Sequence, residues 1–339
     1  MFAATLLKAP APASPSKAVD VVDLTKQEPT SCSAMLKTAP RFSTTLAGKL
    51  LLVAVASGLY ACHPGAHEAR QLRASCDDGD VTACSDLGSR VLRGERVLRD
   101  EARAADLFEI ACDGGEAEGC DRLGRMYEMG TAVTRDLGDA LELYERACDG
   151  GAMEGCIHLG FQRRESAVLG SELARAAGLF EKACDGGAMQ GCVELGAMYQ
   201  EERGISQDLP RAASLFLRAC DGELMEGCVK LGGSYAAGEG VDQDFTRSAE
   251  LYRQACDSDA MVGCLNLGDL HVAGTGVDLN LTRARFLFQQ ACNSRYAESC
   301  FRLGEMYASG TGIDRNLSRA ASLFRRACYY GYEEACTRR

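Results

Sequence analysis

A chain of 339 residues suffices for two globular domains or one extended repeat array, and 46% apolar residues make a buried core feasible. Aromatic residues supply 6%, with no Trp, which disfavours a large β-sandwich. The net charge of −11 argues against a nucleic-acid partner, because phosphate binding needs clustered positive potential.

Residues 1–34 are rich in Pro, Ala, Ser and Lys without a sustained apolar period and read as a disordered leader or as sequence ahead of the true start. Residues 35–61 hold the parts of a secretory signal: basic Lys37, Arg41 and Lys49, then the apolar run Leu50 to Ala61. That run is shorter than the roughly 20 apolar residues that span a bilayer. Met35 is the better translation start, since it gives a signal of ordinary length. Leu59-Tyr60-Ala61-Cys62 resembles the bacterial lipobox. The resemblance implies cleavage before Cys62 and its lipidation, the one membrane attachment expected; plain secretion is the alternative. Residues 62–75 would then be a tether.

From residue 76 the sequence repeats. Sixteen of the 18 cysteines form eight C-x7-C pairs displaced by 36 residues: Cys76/Cys84, Cys112/Cys120, Cys148/Cys156, Cys184/Cys192, Cys220/Cys228, Cys256/Cys264, Cys292/Cys300 and Cys328/Cys336. Only Cys32 and Cys62 fall outside the pattern. A Leu-Gly dipeptide, as in Leu195-Gly196, and a Leu-Phe/Tyr pair, as in Leu215-Phe216, recur in each of seven copies. In copy four, Cys192, Leu195, Gly196 and Tyr199 fall at i, i+3, i+4 and i+7, one face of a helix; Ala212, Leu215, Phe216 and Ala219 repeat that spacing. Between the two segments lies a Gly-rich turn such as Gly238-Glu239-Gly240, and then a polar residue at the N-cap position: Asp100, Asp136, Asp208, Asp244, Asn280 or Asn316. Gly in the Leu-Gly pair costs about 1 kcal/mol in a helix relative to Ala, so its recurrence points to close helix approach.

An even set of cysteines at fixed spacing in an exported chain reads as a disulfide framework. The first of each pair ends the second helix of one copy and the second begins the first helix of the next. A bond across C-x7-C closes about nine residues and contributes roughly 2.6 kcal/mol on chain-entropy grounds. Zinc is the poorer reading, because no C-x2–4-C pair exists.

The motifs L-G-x-x-Y, G-x-G-V/I and R-A-x-x-L-F/Y, repeated over residues 76–336, resemble the Sel-one-like repeat family, relatives of tetratricopeptide repeats. The eight-residue cysteine offset resembles its cysteine-rich secreted bacterial branch. The implied fold is all-α: a right-handed α/α superhelical solenoid of helix hairpins, disulfide-stapled, with seven repeats and a truncated eighth over 76–339. Copy three departs from the motif, since residues 161–170 lack both the Tyr and the G-x-G turn, and copy one has Val91 at the Tyr position.

Catalytic and cofactor signatures are scarce. H-E-x-x-H, Walker and G-x-S-x-G motifs are absent, and Ser14-Pro15-Ser16-Lys17 matches S-x-x-K only within the leader. His271 occupies a Tyr position, where packing is the expected role. No metal and no cofactor is expected. What varies is the residue before Leu-Gly, namely Asp86, Arg122, His158, Glu194, Lys230, Asn266 and Arg302, on a stripe that stacking aligns. In related solenoids this side is concave and holds peptides, so Arg122, His158, Glu194, Lys230, Asn266 and Arg302 are the expected partner-binding residues; a solvated face without a ligand is the alternative. The expected function is a non-catalytic scaffold binding a protein or peptide, lipid-anchored at a bacterial cell envelope and facing the periplasm or exterior. The family resemblance also implies an alternative, weak β-lactam hydrolysis.

Intact mass of the protein from a membrane fraction checks two of these expectations. Cys62 should be the acylated N-terminus, and reduction should add one hydrogen for each of the sixteen array cysteines.

Overall fold

The computed structural model describes residues 64–165 and 170–338; the leader, the signal, the lipobox and Cys62 lie outside the described residues. The chain divides into two units, residues 1–67 and 68–339, and the repeat array is the second. Helix α1 (Pro64–Asp77) is followed by seven hairpins: α2 (Val81–Arg93) with α3 (Glu101–Asp113), α4 (Ala117–Met129) with α5 (Leu137–Asp149), α6 (Met153–Glu165) with α7 (Gly170–Asp185), α8 (Met189–Glu201) with α9 (Leu209–Asp221), α10 (Met225–Ala237) with α11 (Phe245–Asp257), α12 (Met261–Ala273) with α13 (Leu281–Asn293), and α14 (Ala297–Ser309) with α15 (Leu317–Tyr329). A short α16 (Glu333–Thr337) closes the described chain, which contains no strand. Neighbouring helices pack in chain order, as in an α/α solenoid.

The helix boundaries follow the local chemistry. Asp100, Asp136, Asp208, Asp244, Asn280 and Asn316 each accept a backbone N–H from the first turn of a second helix. The C-termini of four first helices are closed by a side chain seven residues on. Arg135 donates to the Glu128 carbonyl at 2.9 Å, Gln207 to Gln200 at 3.0 Å, Gln243 to Ala236 at 2.8 Å and Arg315 to Ala308 at 3.0 Å. Copy six has Leu279 there, and His271 Nδ1 lies 3.1 Å from the Asp278 carbonyl oxygen instead. The third position of the inter-helix turn is held at positive φ, at 68–75° in Gly204, Gly240, Gly276 and Gly312.

The core of each hairpin is one aromatic ring laid on the Leu-Gly glycine. A Cβ added at Gly88, Gly124, Gly160, Gly196, Gly232, Gly268 or Gly304 would lie 2.5–2.9 Å from ring carbons of Phe108, Tyr144, Phe180, Phe216, Tyr252, Phe288 or Phe324 respectively. That contact offsets the propensity cost noted above.

All sixteen array cysteines are bridged as the spacing indicates. The bonds are Cys76–Cys84, Cys112–Cys120, Cys148–Cys156, Cys184–Cys192, Cys220–Cys228, Cys256–Cys264, Cys292–Cys300 and Cys328–Cys336, with Cα–Cα distances of 4.5–4.9 Å. The helix position of the second partner needs correcting. Cys84, Cys120, Cys156, Cys192, Cys228, Cys264 and Cys300 do not begin their helices; each stands at the end of the first turn. The linking turn is shorter than the cysteine spacing, so the helix starts three residues earlier and that turn carries the sulfur inward, onto the preceding second helix.

One segment differs from its expected role. Residues 68–75, read from the sequence as part of a tether, are helical and belong to the packed array. Ala69 is buried beside Leu87 and Val91, Leu72 and Cys76 pack on the same core, and Glu68 holds Arg90 at 2.7 Å. The cause lies in the sequence: Ala69, Leu72 and Cys76 fall at i, i+3 and i+7, so α1 presents the apolar face of a second helix to copy one.

Two glycine substitutions separate packing from propensity. Gly196→Ala forces the methyl into the Phe216 ring and should lower stability by about 1–3 kcal/mol. Gly178→Ala, where a Cβ meets nothing within 4 Å on α7, should raise stability by up to about 1 kcal/mol. Denaturant melts of the oxidised proteins check both signs.

Candidate functional site: the first-helix face

Consecutive first helices approach one another directly in three places, α2 with α4, α4 with α6 and α8 with α10. Crowding of this kind marks the inner side of a curved stack, and the variable stripe lies there. The half-cystines on these helices are not part of the open face. Cys120 is 3% exposed and Cys156, Cys228, Cys264 and Cys300 are fully buried, so they fasten the helices that carry the stripe and offer no sulfur to a ligand.

Most of the stripe is engaged within the array. Arg122 donates to the Ser85 hydroxyl of the preceding copy and pairs with Glu118 at 2.6 Å. His158 Nδ1 lies 2.7 Å from Asp121, again one copy back, with its ring 5.1 Å from that of Tyr144. Glu194 accepts from Arg164 and from Gln190. Asn266 stands near the Tyr252 hydroxyl. Arg302 faces three carboxylates, Glu298 at 3.3 Å and Asp269 and Glu305 each at 3.7 Å. Of the six expected binding residues, Lys230 is the one charged side chain with no hydrogen bond or ion pair among the described residues. Alternation of sign along the sequence hid this, because the pairing depends on the register between helices some 37 residues apart.

Two clefts open on this face. The larger, about 570 Å³, is lined by Glu118, Asp121, Arg122 and Arg125 of α4 and by the turns that lead into α6 and α8. Arg125 is exposed and forms no hydrogen bond or ion pair with a described residue. The smaller, about 190 Å³, has Val193, Ala197 and Met198 among its lining residues, with Lys230, Glu226 and Arg164. The acids Glu118, Glu154 and Glu226 stand in the first turns of α4, α6 and α10, where the helix dipole offsets part of their charge. Arg125 and Lys230 are thus cations of these clefts that are held in no ion pair with a described residue, although carboxylates line both clefts.

Tyr144 donates to one oxygen of Glu128 while Gln162 donates to the other at 2.7 Å, tying α4, α5 and α6 together. Burial, with the Glu128 contact behind it, pushes the Tyr144 hydroxyl well above its usual pKa. Between copies six and seven, burial raises Asp269; Arg302 opposes the shift and Glu298 and Glu305 add to it. No group of three or more His, Cys, Asp or Glu side chains suited to a metal occurs among the described residues. Of the two lysines in the array, Lys182 is paired with Asp149 at 3.0 Å, while the Lys230 ammonium bonds no described residue and the Ser234 hydroxyl donates only to the Lys230 backbone carbonyl, at 3.3 Å.

The repeat profile of known families decides the relationship. The Sel1 repeat matches seven times, at residues 81–116, 117–151, 172–187, 190–223, 226–259, 262–296 and 297–332. The chain belongs to the Sel1 repeat family. Its eight bridges accord with the cysteine-rich branch, and Sel1-type arrays commonly serve as protein-interaction scaffolds. Two solved structures are similar to the array. One is c5321, a protective antigen present in uropathogenic Escherichia coli strains, with 26% identity and a TM-score of 0.68 over 79% of this chain and 57% of that one. The match thus spans little more than half of that relative's length. The other is a Sel1 repeat protein from Oxalobacter formigenes, with 25% identity and a TM-score of 0.62 over 79% of this chain and 78% of its own. No curated protein matches by sequence. Eight disulfides suit an oxidising, extracytoplasmic setting, and no helix among the described residues is long and apolar enough to cross a membrane.

Asp269, a carboxylate of the Sel1 array whose pKa is raised by burial, gives a pH test. A folded-state pKa raised above the unfolded value means that ionised Asp269 opposes folding at neutral pH, an effect that disappears below the ordinary carboxylate range. Asp269→Asn should therefore raise the melting temperature at pH 7, with Arg302 still held by Glu298 and Glu305. The difference from wild type should close as the pH falls towards 3, about a unit below the usual Asp value; thermal melts across that range check it.

Proposed function

We propose that this Sel1 protein is an envelope scaffold that carries out no chemistry and holds an extended, acidic segment of a partner protein along its first-helix face. Residues 35–61 act as the export signal and Cys62 carries the lipid that keeps the array at the membrane, facing the periplasm or exterior. The observation that carries the reading is Arg125 and Lys230, two cations in open clefts that form no ion pair with a described residue in a chain whose net charge is −11. Arg122, His158, Glu194 and Arg302 support that face by fixing the spacing and register of its helices. Carboxylates on a partner would meet the free cations without first breaking an internal ion pair, which keeps the desolvation cost low. Nucleic acid, with its dense phosphate charge, is disfavoured by the acidic surface around them.

Cross-linking of the oxidised protein in envelope extracts tests this. A partner captured by wild type should be lost at least about tenfold on Arg125→Glu with Lys230→Glu, the loss expected for removing rim charge complementarity of about 1.4 kcal/mol. The melting temperature of that variant should be unchanged. Arg122→Ala should instead lower stability, because it leaves the buried Ser85 hydroxyl without its donor. Capture that is indifferent to both charge reversals sinks the proposal.

A further inference from the structure

The eight bridges are not equally protected. Thirteen of the sixteen array cysteines are buried, none more than 4% exposed. Cys76 and Cys328 are half-buried, and Cys336 is exposed. Cys328–Cys336 is thus the one bridge among the described residues with an exposed half-cystine, and neither of its half-cystines is buried.

What that bridge restrains also differs. In the other seven, the second cysteine lies in the first turn of a 13-residue helix with its own packed face. Cys336 sits in α16, five residues long, too short to persist without outside support. The remaining support is slight: Ala335 is buried, the Tyr332 ring lies 4.9 Å from Phe301, and Arg338 stands 5.2 Å over Phe301 and 3.3 Å from Glu305. Phe301 is 2% exposed under this cover, in one cluster with Leu303, Phe324 and Ala327.

We propose that Cys328–Cys336 is a thiol-exchange site whose reduction releases α16 and uncovers the Phe301 surface, a property separate from partner binding on the first-helix face. The co-reactant is a dithiol reductant. Its first thiolate bonds to Cys336 Sγ as the Cys328–Cys336 bond breaks, and Cys328 departs as a thiolate that takes up a proton. The second thiol of the reductant, as thiolate, then attacks the mixed disulfide and frees Cys336. Two electrons pass from the dithiol, which becomes a disulfide, to the protein, which gains two thiols. Attack requires access to the sulfur, so the buried bridges exchange only after local opening of their long helices.

The test is limiting dithiothreitol added to the folded, oxidised full-length protein, with alkylation at intervals and peptide mapping of all eight pairs. Cys328 and Cys336 should be labelled at least about tenfold faster than any other pair, Cys76–Cys84 included. Amide hydrogen exchange over residues 332–337 should rise in the singly reduced species and equally in Cys328→Ala/Cys336→Ala, which needs no reductant. Uniform labelling, or another bridge reacting first, overturns the assignment of the site. A double variant whose residues 332–337 exchange as slowly as wild type overturns the claim that the bridge holds α16.

Discussion

Everything in this array depends on how closely the end of one hairpin meets the start of the next. The disulfide holds the two Cα atoms within 4.5–4.9 Å, and such an approach leaves room for no more than a small side chain just ahead of the second cysteine. Gly119, Gly155, Gly191, Gly227 and Gly263 occupy that place, where an added Cβ would fall 2.6–2.7 Å from the Cβ of Ala111, Ala147, Ala183, Ala219 and Ala255. Copies one and seven carry Ala83 and Ser299 instead, both buried, and the Ser299 hydroxyl has no hydrogen-bond partner. A covalent bond and a missing side chain thus act together: the bridge restricts the unfolded chain, and the small residue lets the folded one close.

A solenoid has no central core, so each junction must be complete in itself. Besides the bridge, the second helices are joined by a basic residue that reaches back to the preceding second helix. Arg146 donates to the Cys112 carbonyl at 2.9 Å and pairs with Asp113 at 3.2 Å; Arg218 treats Cys184 and Asp185 alike, Lys182 pairs with Asp149, and Arg326 reaches Cys292. These cations sit at helix C-termini, where the dipole favours them. Copies five and six have Gln254 and Gln290 at the same position. The first-helix stripe performs the matching task on the inner side, which is why so few of its charges are left over for a partner.

Much of this was legible in the sequence for a physical reason. A 36-residue period fixes which residues share an environment, so the C-x7-C pairs, the Leu-Gly packing residue and the Asp/Asn caps could be read from one copy and checked in six others. The features that resisted reading arise between copies. His158 reads as a lone variable residue until α4 and α6 are placed in register and Asp121 comes to face it. The C-terminal caps from Arg135, Gln207, Gln243 and Arg315 were concealed by their mixed chemistry, since an amide and a guanidinium serve equally well as donors to a carbonyl. Residues 68–75 were misread because they lack the repeat's motifs, although Ala69, Leu72 and Cys76 carried the helical spacing.

The turn glycines carry a consequence for how such a gene lengthens. Gly204, Gly240, Gly276 and Gly312 each lie against the first residues of the previous copy's second helix, against Leu173, Leu209, Phe245 and Leu281, where any Cβ would collide. The fit is made by the upstream neighbour and stored in the downstream one. Copy two instead has Ala132 at φ 61°, facing a predecessor whose second helix begins with Glu101. A tandem duplication of any one of copies four to seven therefore creates a seam that already matches on both sides, whereas a copy transplanted from the N-terminal end would bring a methyl group where its new predecessor requires a hydrogen. At this contact, a 36-residue duplication within the C-terminal half needs no compensating change.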